Sequence, residues 1–281
     1  MILCTEDKKA NVLGVSIDAV DMEGALTRLA YSLRHRLKGY VCLVGVHGVM
    51  ECKRNPVLAN IINNASLTAP DGMPTVWVGR HQGHAGMRRV TGPDLMLEVI
   101  SREEFRGYSH FLCGGKEGIA VELRAQLEKR FPSVKVVGTF MPPFEAMSLA
   151  QEEAFVSSVN LLRPDIVWVG ISTPKQEHFM SRYLPLLDTT LMFAVGAAFD
   201  FHTGRIADCS EWIKQAGFQW LHRFFQDPKH LWKRYLMNVP AFLFHISLQL
   251  TGFKSYEANR MLEQGRKTHT SEGVGVGSAR P

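Results

Sequence analysis

The chain is poor in cysteine and in the chemistry that clustered cysteines support. Its 281 residues include five: Cys4, Cys42, Cys52, Cys113 and Cys209. The number is odd and no Cys-x-x-Cys pair occurs, which argues against a disulfide framework or a zinc cluster. No clean apolar run reaches the roughly 20 residues that a bilayer crossing takes. The first residues, MILCTEDKKANVLG, carry neither a basic leader nor an apolar stretch. No signal peptide is therefore expected, and a reducing cytoplasm is the expected setting. Several standard sites are missing too. There is no Gly-x-x-x-x-Gly-Lys-Ser/Thr phosphate loop, no Gly-x-Gly-x-x-Gly, no Gly-x-Ser-x-Gly elbow and no His-Glu-x-x-His. Asp18 and Asp21 are one residue too far apart for an Asp-x-Asp pair, so no metal held by paired acids is expected. His81 and His84 are spaced to share a helix face and read as a solvated pair.

What remains is globular in composition: 46% hydrophobic and 21% charged, with 24 Gly and 13 Pro. That excludes a collagen, a disordered chain and a coiled coil. The length suits one large domain, or one with an appendage. A net charge of +5, from 32 basic and 27 acidic residues, permits nucleic acid, phosphorylated substrates or anionic lipid as partners. The excess sits late: Arg223, Lys229, Lys233 and Arg234 stand against Asp227, with His222 and His230 among them.

Short apolar runs alternate with helical periodicity. Residues 11–17, 40–46, 65–69, 110–113, 134–138, 166–170 and 191–195 read as strands. Residues 22–33, 48–64, 116–131, 150–162 and 176–184 read as helices. This alternation predicts an α/β fold with an open, largely parallel sheet. Ligands of such sheets lie at the carboxyl ends of the strands, so the loops to search are 45–50, 70–74, 113–117, 138–144, 170–177 and 196–205. Residues 211–250 read as helices rich in aromatic and basic side chains, and the apolar run from Leu236 to Thr251 is interrupted by Asn238, Pro240 and His245. Such a segment suits an anionic membrane surface, or equally a helical cap on the sheet. The expected organisation is a core over 1–207, an appendage over 208–254 and a disordered polar tail over 255–281.

Four clusters could carry chemistry. In Ala69-Pro70-Asp71-Gly72-Met73-Pro74 an acid stands at a strand exit, where a general base belongs. The same residues also read as a plain Pro-Asp-Gly turn. Arg88-Arg89-Val90-Thr91-Gly92-Pro93-Asp94 can bind a diphosphate through arginine and helix amides, or be a basic pair beside a capped helix. Gly170 to Glu177 can approach a ligand through its backbone, with Lys175 and Gln176 reaching the same crevice. Ser172 or Thr173 equally reads as a cap for a helix opened by Pro174. Gly196 to Gly204, with Asp200, is a further small-residue strand exit or a site of close helix packing.

Together these clusters resemble the WecB/TagA/CpsF family of bacterial glycosyltransferases over about residues 11–236. The resemblance rests on six features in order: Asn11 to Val15, Ala69 to Pro74, Arg89 to Leu95, Gly114-Gly115, Gly170 to Glu177, and Gly196 to Asp200 followed by Trp220-Leu221-His222-Arg223 and Arg234-Tyr235. It implies a Rossmann-like core with helices on both faces of the sheet and a C-terminal helical appendage that contacts the membrane. It further implies an inverting, metal-independent transferase without cofactor, moving a sugar from a UDP-sugar to a polyprenyl-diphosphate-linked saccharide at the cytoplasmic membrane face. Asp71 matches the family's base, Arg89 a motif arginine near the diphosphate or acceptor, and Arg223 the first appendage arginine at the leaving UDP. Substrate-binding positions carried over are His47, Thr91, Gly114, Gly115, Gly138, Gly170, Lys175, Gln176, Asp200, His230, Lys233 and Arg234.

Members often carry Thr-x-Asn where this chain has Val46-His47-Gly48, and Glu-Trp-Leu-Tyr-Arg where it has Gln219 to Arg223. The His47 loop and the Met73-Pro74 variant resemble exopolysaccharide-type members more than the teichoic acid and common-antigen branch, whose donor is UDP-N-acetylmannosamine. Nucleic acid is not expected as a partner, and a homo-oligomer is left open. The rival from another class is a non-enzymatic basic module gripping RNA or lipid through residues 220–235. That rival leaves Asp71, Arg89 and Gln176 unexplained.

Overall fold

The structure is a computed structural model that describes residues 8–143 and 145–258. Its centre is a sheet of six strands, all parallel, in the order β4-β3-β8-β7-β5-β6. These are β3 (Gly39–Val44), β4 (Leu67–Pro70), β5 (Ser109–Gly114), β6 (Lys135–Phe140), β7 (Ile166–Gly170) and β8 (Leu191–Ala194). The inner strands read GYVCLV, IVWVG and LMFA because both faces are covered by helices. Alternation along β3 sends Cys42 and Val44 to one face and Val41 and Leu43 to the other.

The first face packs under α2 (Val46–Arg54), α3 (Pro56–Asn63), α7 (Leu149–Leu162) and α8 (Lys175–Tyr183). The second packs under α1 (Met22–Arg34), α5 (Gly92–Ser101), α6 (Ile119–Arg130) and α9 (Ala198–His202). The expected α/β architecture, Rossmann-like with helices on both faces, is thus present. It is followed by α10 (Glu211–Gln215), α11 (Gln219–Gln226) and α12 (Pro228–Leu250).

Several expectations change. Residues 11–17 do not form one strand. They belong to a hairpin of β1 (Lys9–Val12) and β2 (Val15–Asp18), turning at Leu13 and Gly14 with φ of 53° and 87°. A leucine in the left-handed region hides this turn from sequence reasoning. The single helix expected over 48–64 is two. Asn55 Oδ1 accepts from the amides of Val57 and Leu58, and Pro56 opens α3. Helix α4 (Met73–His81) ends before His84, whose Nε2 lies 3.2 Å from the Lys9 carbonyl, so the two histidines share no helix face. As expected of residues 211–250, α12 is helical, and it includes Pro240.

The C-terminal helices are tied into the core. Phe242 and Ile246 are buried in the same cluster as Val44. Gln249 clamps the β1–β2 hairpin, accepting from the Leu13 amide and donating to the Asn11 carbonyl, each at 2.8 Å. Asn11 Nδ2 donates to the Tyr256 carbonyl at 2.6 Å, within the segment expected as tail. The rest of that expected tail, residues 259–281, lies outside the described residues, as does Cys4. Cys42, Cys52, Cys113 and Cys209 are free thiols and buried.

Candidate active site

The carboxyl ends of β4, β3, β8 and β7 open into one cavity of about 580 Å³, roofed by α10, α11 and α12. That is where open α/β sheets bind ligands. The cavity brings together His47, Asp71, Arg89, Thr91, Gln176 and Arg223, which are up to 176 positions apart in the chain.

Asp71 follows β4 directly. Its amide donates to the Val44 carbonyl at 3.0 Å, and the amide of Val90 donates to the Pro70 carbonyl at 2.9 Å. These bonds fix the acid between β3 and the Arg89 loop. Gly45 makes this approach possible, since a Cβ there would stand 2.3 Å from the Asp71 carbonyl oxygen. Thr91 caps α5: its hydroxyl donates to Asp94 Oδ2 at 2.6 Å and accepts from the Asp94 amide. Gly92 lets that helix start press against β8, because a Cβ would lie 2.6 Å from the Val195 carbonyl oxygen.

Arg89 donates from Nη1 to Gln219 Oε1 at 2.7 Å and pairs with Asp94 at 3.6 Å. Arg223 lies with its guanidinium 5.5 Å from the centre of the Phe201 ring. Gln176 is buried. Its Oε1 accepts from the Gly196 amide at 3.1 Å, and its Nε2 donates to Glu177 Oε1 at 3.0 Å. Glu177 also accepts from the Thr173 hydroxyl at 2.8 Å, while its Oε2 has no protein partner. Burial pushes the Glu177 carboxyl above the ordinary glutamate range. The loops after β7 and β8 are therefore stitched together beneath the cavity floor.

Other residues singled out from sequence sit elsewhere. Gly114 ends β5 and Gly115 follows it, one strand beyond the cavity. Gly114 backs onto Gly170, and the Gly115 amide donates to the Gly170 carbonyl at 3.0 Å. Gly138 lies inside β6 rather than at a strand exit, with Phe111 and Leu162 filling the space where a side chain would go. Lys175 is the exposed first residue of α8. Asp200 lies within α9, and its carbonyl accepts from the amides of Arg205 and Ile206. Lys233 is exposed over the Trp232 ring. None of these lines the cavity. His230 and Arg234 belong to α12, and their side chains lie outside the described residues.

Sequence reasoning missed Lys214, Gln219, Tyr235 and Asn238 in the wall. Asn238 left a signal, a lone amide in an apolar run. The others looked like surface residues of an amphipathic stretch. Among the described residues, no group of three or more His, Cys, Asp or Glu is placed to hold a metal ion.

Comparison with known proteins gives the family. Two relatives carry the name N-acetylglucosaminyldiphosphoundecaprenol N-acetyl-beta-D-mannosaminyltransferase. One, from Bacillus spizizenii, is 21% identical over 193 residues, covering 69% of this chain and 72% of the relative. The other, from Bacillus subtilis, is 22% identical over 184 residues, covering 65% and 69%. The profile of the glycosyl transferase WecG/TagA/CpsF family matches residues 10–256, so the chain belongs to that family and is a glycosyltransferase.

Proposed function

We propose that the chain moves a sugar from a UDP-sugar to a polyprenyl-diphosphate-linked saccharide, with inversion and without a metal ion. The observation that carries this reading is the convergence of Asp71, Arg89, Gln176 and Arg223 on one cavity at the strand ends. Asp71 takes the proton from the acceptor hydroxyl as that oxygen attacks the anomeric carbon. The bond from the anomeric carbon to the diphosphate oxygen breaks, and UDP leaves with the electron pair. Arg89 and Arg223 supply the positive charge that the leaving diphosphate needs. Thr91 and Gln176 line the same cavity and hold its polar wall.

The acceptor class is supported by the names of the two relatives and by the apolar wall that α12 gives the cavity through Val239, Phe242, Leu243 and Ile246. Among the described residues no helix is long and apolar enough to cross a membrane. Contact with a lipid-borne acceptor then falls to surface side chains. Phe225, Leu236, Met237, Leu243, Phe244 and Phe253 are all exposed on or just after α11 and α12. We place the protein peripherally on the inner membrane face on that ground.

Two donor readings remain. His47, in place of the common Thr-x-Asn element, supports an exopolysaccharide-type donor and pathway. The relatives' names support N-acetylmannosamine. The test is UDP release by detergent-solubilised protein, with a panel of UDP-sugars, a lipid-diphosphate-linked saccharide and excess EDTA. Acceptor-dependent release despite EDTA is expected, and the productive donor names the branch. Loss of release on EDTA addition would overturn metal independence. Absence of both release and UDP binding would overturn the donor class.

A further inference from the structure

Helices α11 and α12 divide their aromatic side chains between two surfaces. Phe225 and Trp232 are on the outside, 72% and 47% exposed. Trp220 and Tyr235 are half-buried and line the cavity. Their ring centroids lie 5.4 Å apart, with the planes 54° from parallel. Phe224 packs edge-on against Tyr235 at 6.4 Å. The backbone beneath both rings is pinned. Gln219, beside Trp220, accepts from Arg89 Nη1 at 2.7 Å. Asn238, one turn after Tyr235, accepts from Arg54 Nη2 at 2.6 Å, and its Nδ2 stands 3.1 Å from Nδ1 of His47. Arg223 follows Trp220 by one turn of α11 and lines the same cavity.

Such a pair offers two kinds of surface. An aromatic face is electron-rich and attracts polarised C–H groups. The tips are polar: the indole N–H only donates, while the phenol hydroxyl donates and accepts. Neither tip hydrogen-bonds to another described residue, and neither is sealed from solvent. A pyranose has the matching surfaces, with C–H groups gathered on a ring face and hydroxyls at the rim. A prenyl chain would cover the rings but leave both tips unpaired, which costs free energy once water is shut out. Rings tilted by 54° leave no parallel slot that would sandwich a flat base.

We propose that Trp220 and Tyr235 form a saccharide-binding wall of the cavity, with ring faces against the C–H face of a pyranose and polar tips on its hydroxyls. Resting on the transferase reading, the two residues are specificity elements for a sugar of that reaction. That sugar is the one transferred or the one that accepts it, and the chemistry of recognition is the same for both.

The test uses the full chain in detergent. Calorimetric titration gives Kd for UDP and for the productive UDP-sugar, and UDP release gives KM for a lipid-diphosphate-linked saccharide at saturating donor. Tyr235→Phe keeps the ring and loses the hydroxyl, and Trp220→Leu loses the aromatic face. Each is expected to weaken one sugar-bearing substrate about three- to tenfold, with Kd for UDP unchanged. A raised Kd for the UDP-sugar assigns the wall to the transferred sugar. A raised KM for the acceptor with an unchanged Kd for the UDP-sugar assigns it to the accepting sugar. Unaltered constants in both variants overturn the proposal. Equal weakening of UDP and UDP-sugar does the same, because it places the nucleotide at the wall. Should Trp220→Leu not fold, Trp220→Phe combined with Tyr235→Phe removes both polar tips and carries the same expectation. Failure of the transferase reading would show as a parent protein that neither binds UDP nor turns over. Titration with the lipid-linked saccharide alone, parent against Tyr235→Phe, then still reads the wall, so the two failures are separable.

Discussion

Arg89 Nη1 donates to Gln219 Oε1 at 2.7 Å, and through this bond a core loop and a C-terminal helix close the same cavity. The Arg89 side chain is 12% exposed, so its orientation depends on that contact and on Asp94. The planar guanidinium meets both at once, which a lysine ammonium cannot reproduce. Gln219→Ala is expected to lower kcat/KM about tenfold while leaving the far-ultraviolet spectrum unchanged. Steady-state kinetics with the productive donor would read this, and an unaltered kcat/KM would show that Arg89 is held without α11.

Asp71→Asn removes the proton acceptor while keeping size and backbone contacts. A fall in kcat of about 10²–10⁴ is expected, with the melting temperature close to that of the parent. Full turnover by this variant would remove Asp71 from the base role.

Gly45→Ala places a carbon against the Asp71 carbonyl oxygen, which is backbone and cannot swing aside. The loop after β3 or the loop after β4 then has to shift. A stability loss of about 1–3 kcal/mol is expected in urea titration, accompanied by a drop in kcat. A stable and fully active variant would show that these loops move without moving the acid.

His110 supplies a pH dependence of stability. The indole of Trp168 donates to its Nδ1 at 3.1 Å inside the core, and burial pushes the imidazole down to about 4 from 6.5. Its folded-state pKa is the lower one. The native protein therefore holds fewer protons than the unfolded chain between these values. Stability is full above pH 6.5 and falls as the pH drops toward 4, by up to about 3 kcal/mol. Glu177, whose carboxyl is raised by burial, acts in the opposite sense. The measurement is thus the difference between the parent and His110→Asn, which keeps an acceptor for the indole without titrating. That difference should shrink between pH 7 and pH 4.5, and a constant difference would refute the assignment.

The exposed apolar side chains of α11 and α12 predict a surface effect. Replacing Phe225, Leu236 and Phe244 together by Ser should weaken sedimentation with anionic vesicles and leave the fold intact, because all three are exposed. Undiminished vesicle binding would move the membrane contact elsewhere on the chain.

Much of the fold was legible because a parallel sheet covered on both faces leaves unbroken apolar runs. The limits of β7 were readable to the residue, Ile166 to Gly170. What was misread involved local exceptions. Leu13 adopts a left-handed turn normally given to Gly or Asn, and Asn55 with Pro56 starts a second helix inside a stretch that reads as one. The strand exits carrying Asp71 and Gln176 were visible as short apolar runs ending in Gly, Pro or acid.

The sequence by itself determined the alternation of strands and helices and the motifs that place the chain in its family. Periodicity and turn chemistry are local properties, and spacing preserves them. Strand order was decided only in three dimensions. It puts β4, β3, β8 and β7 side by side, so their loops share one cavity, while β5 and β6 carry Gly114, Gly115 and Gly138 away from it. The folding of α12 back onto α2 was decided there too. An amide that reads as a break in an apolar run becomes the partner of His47, because burial obliges each polar group to find a donor or acceptor wherever the fold supplies one.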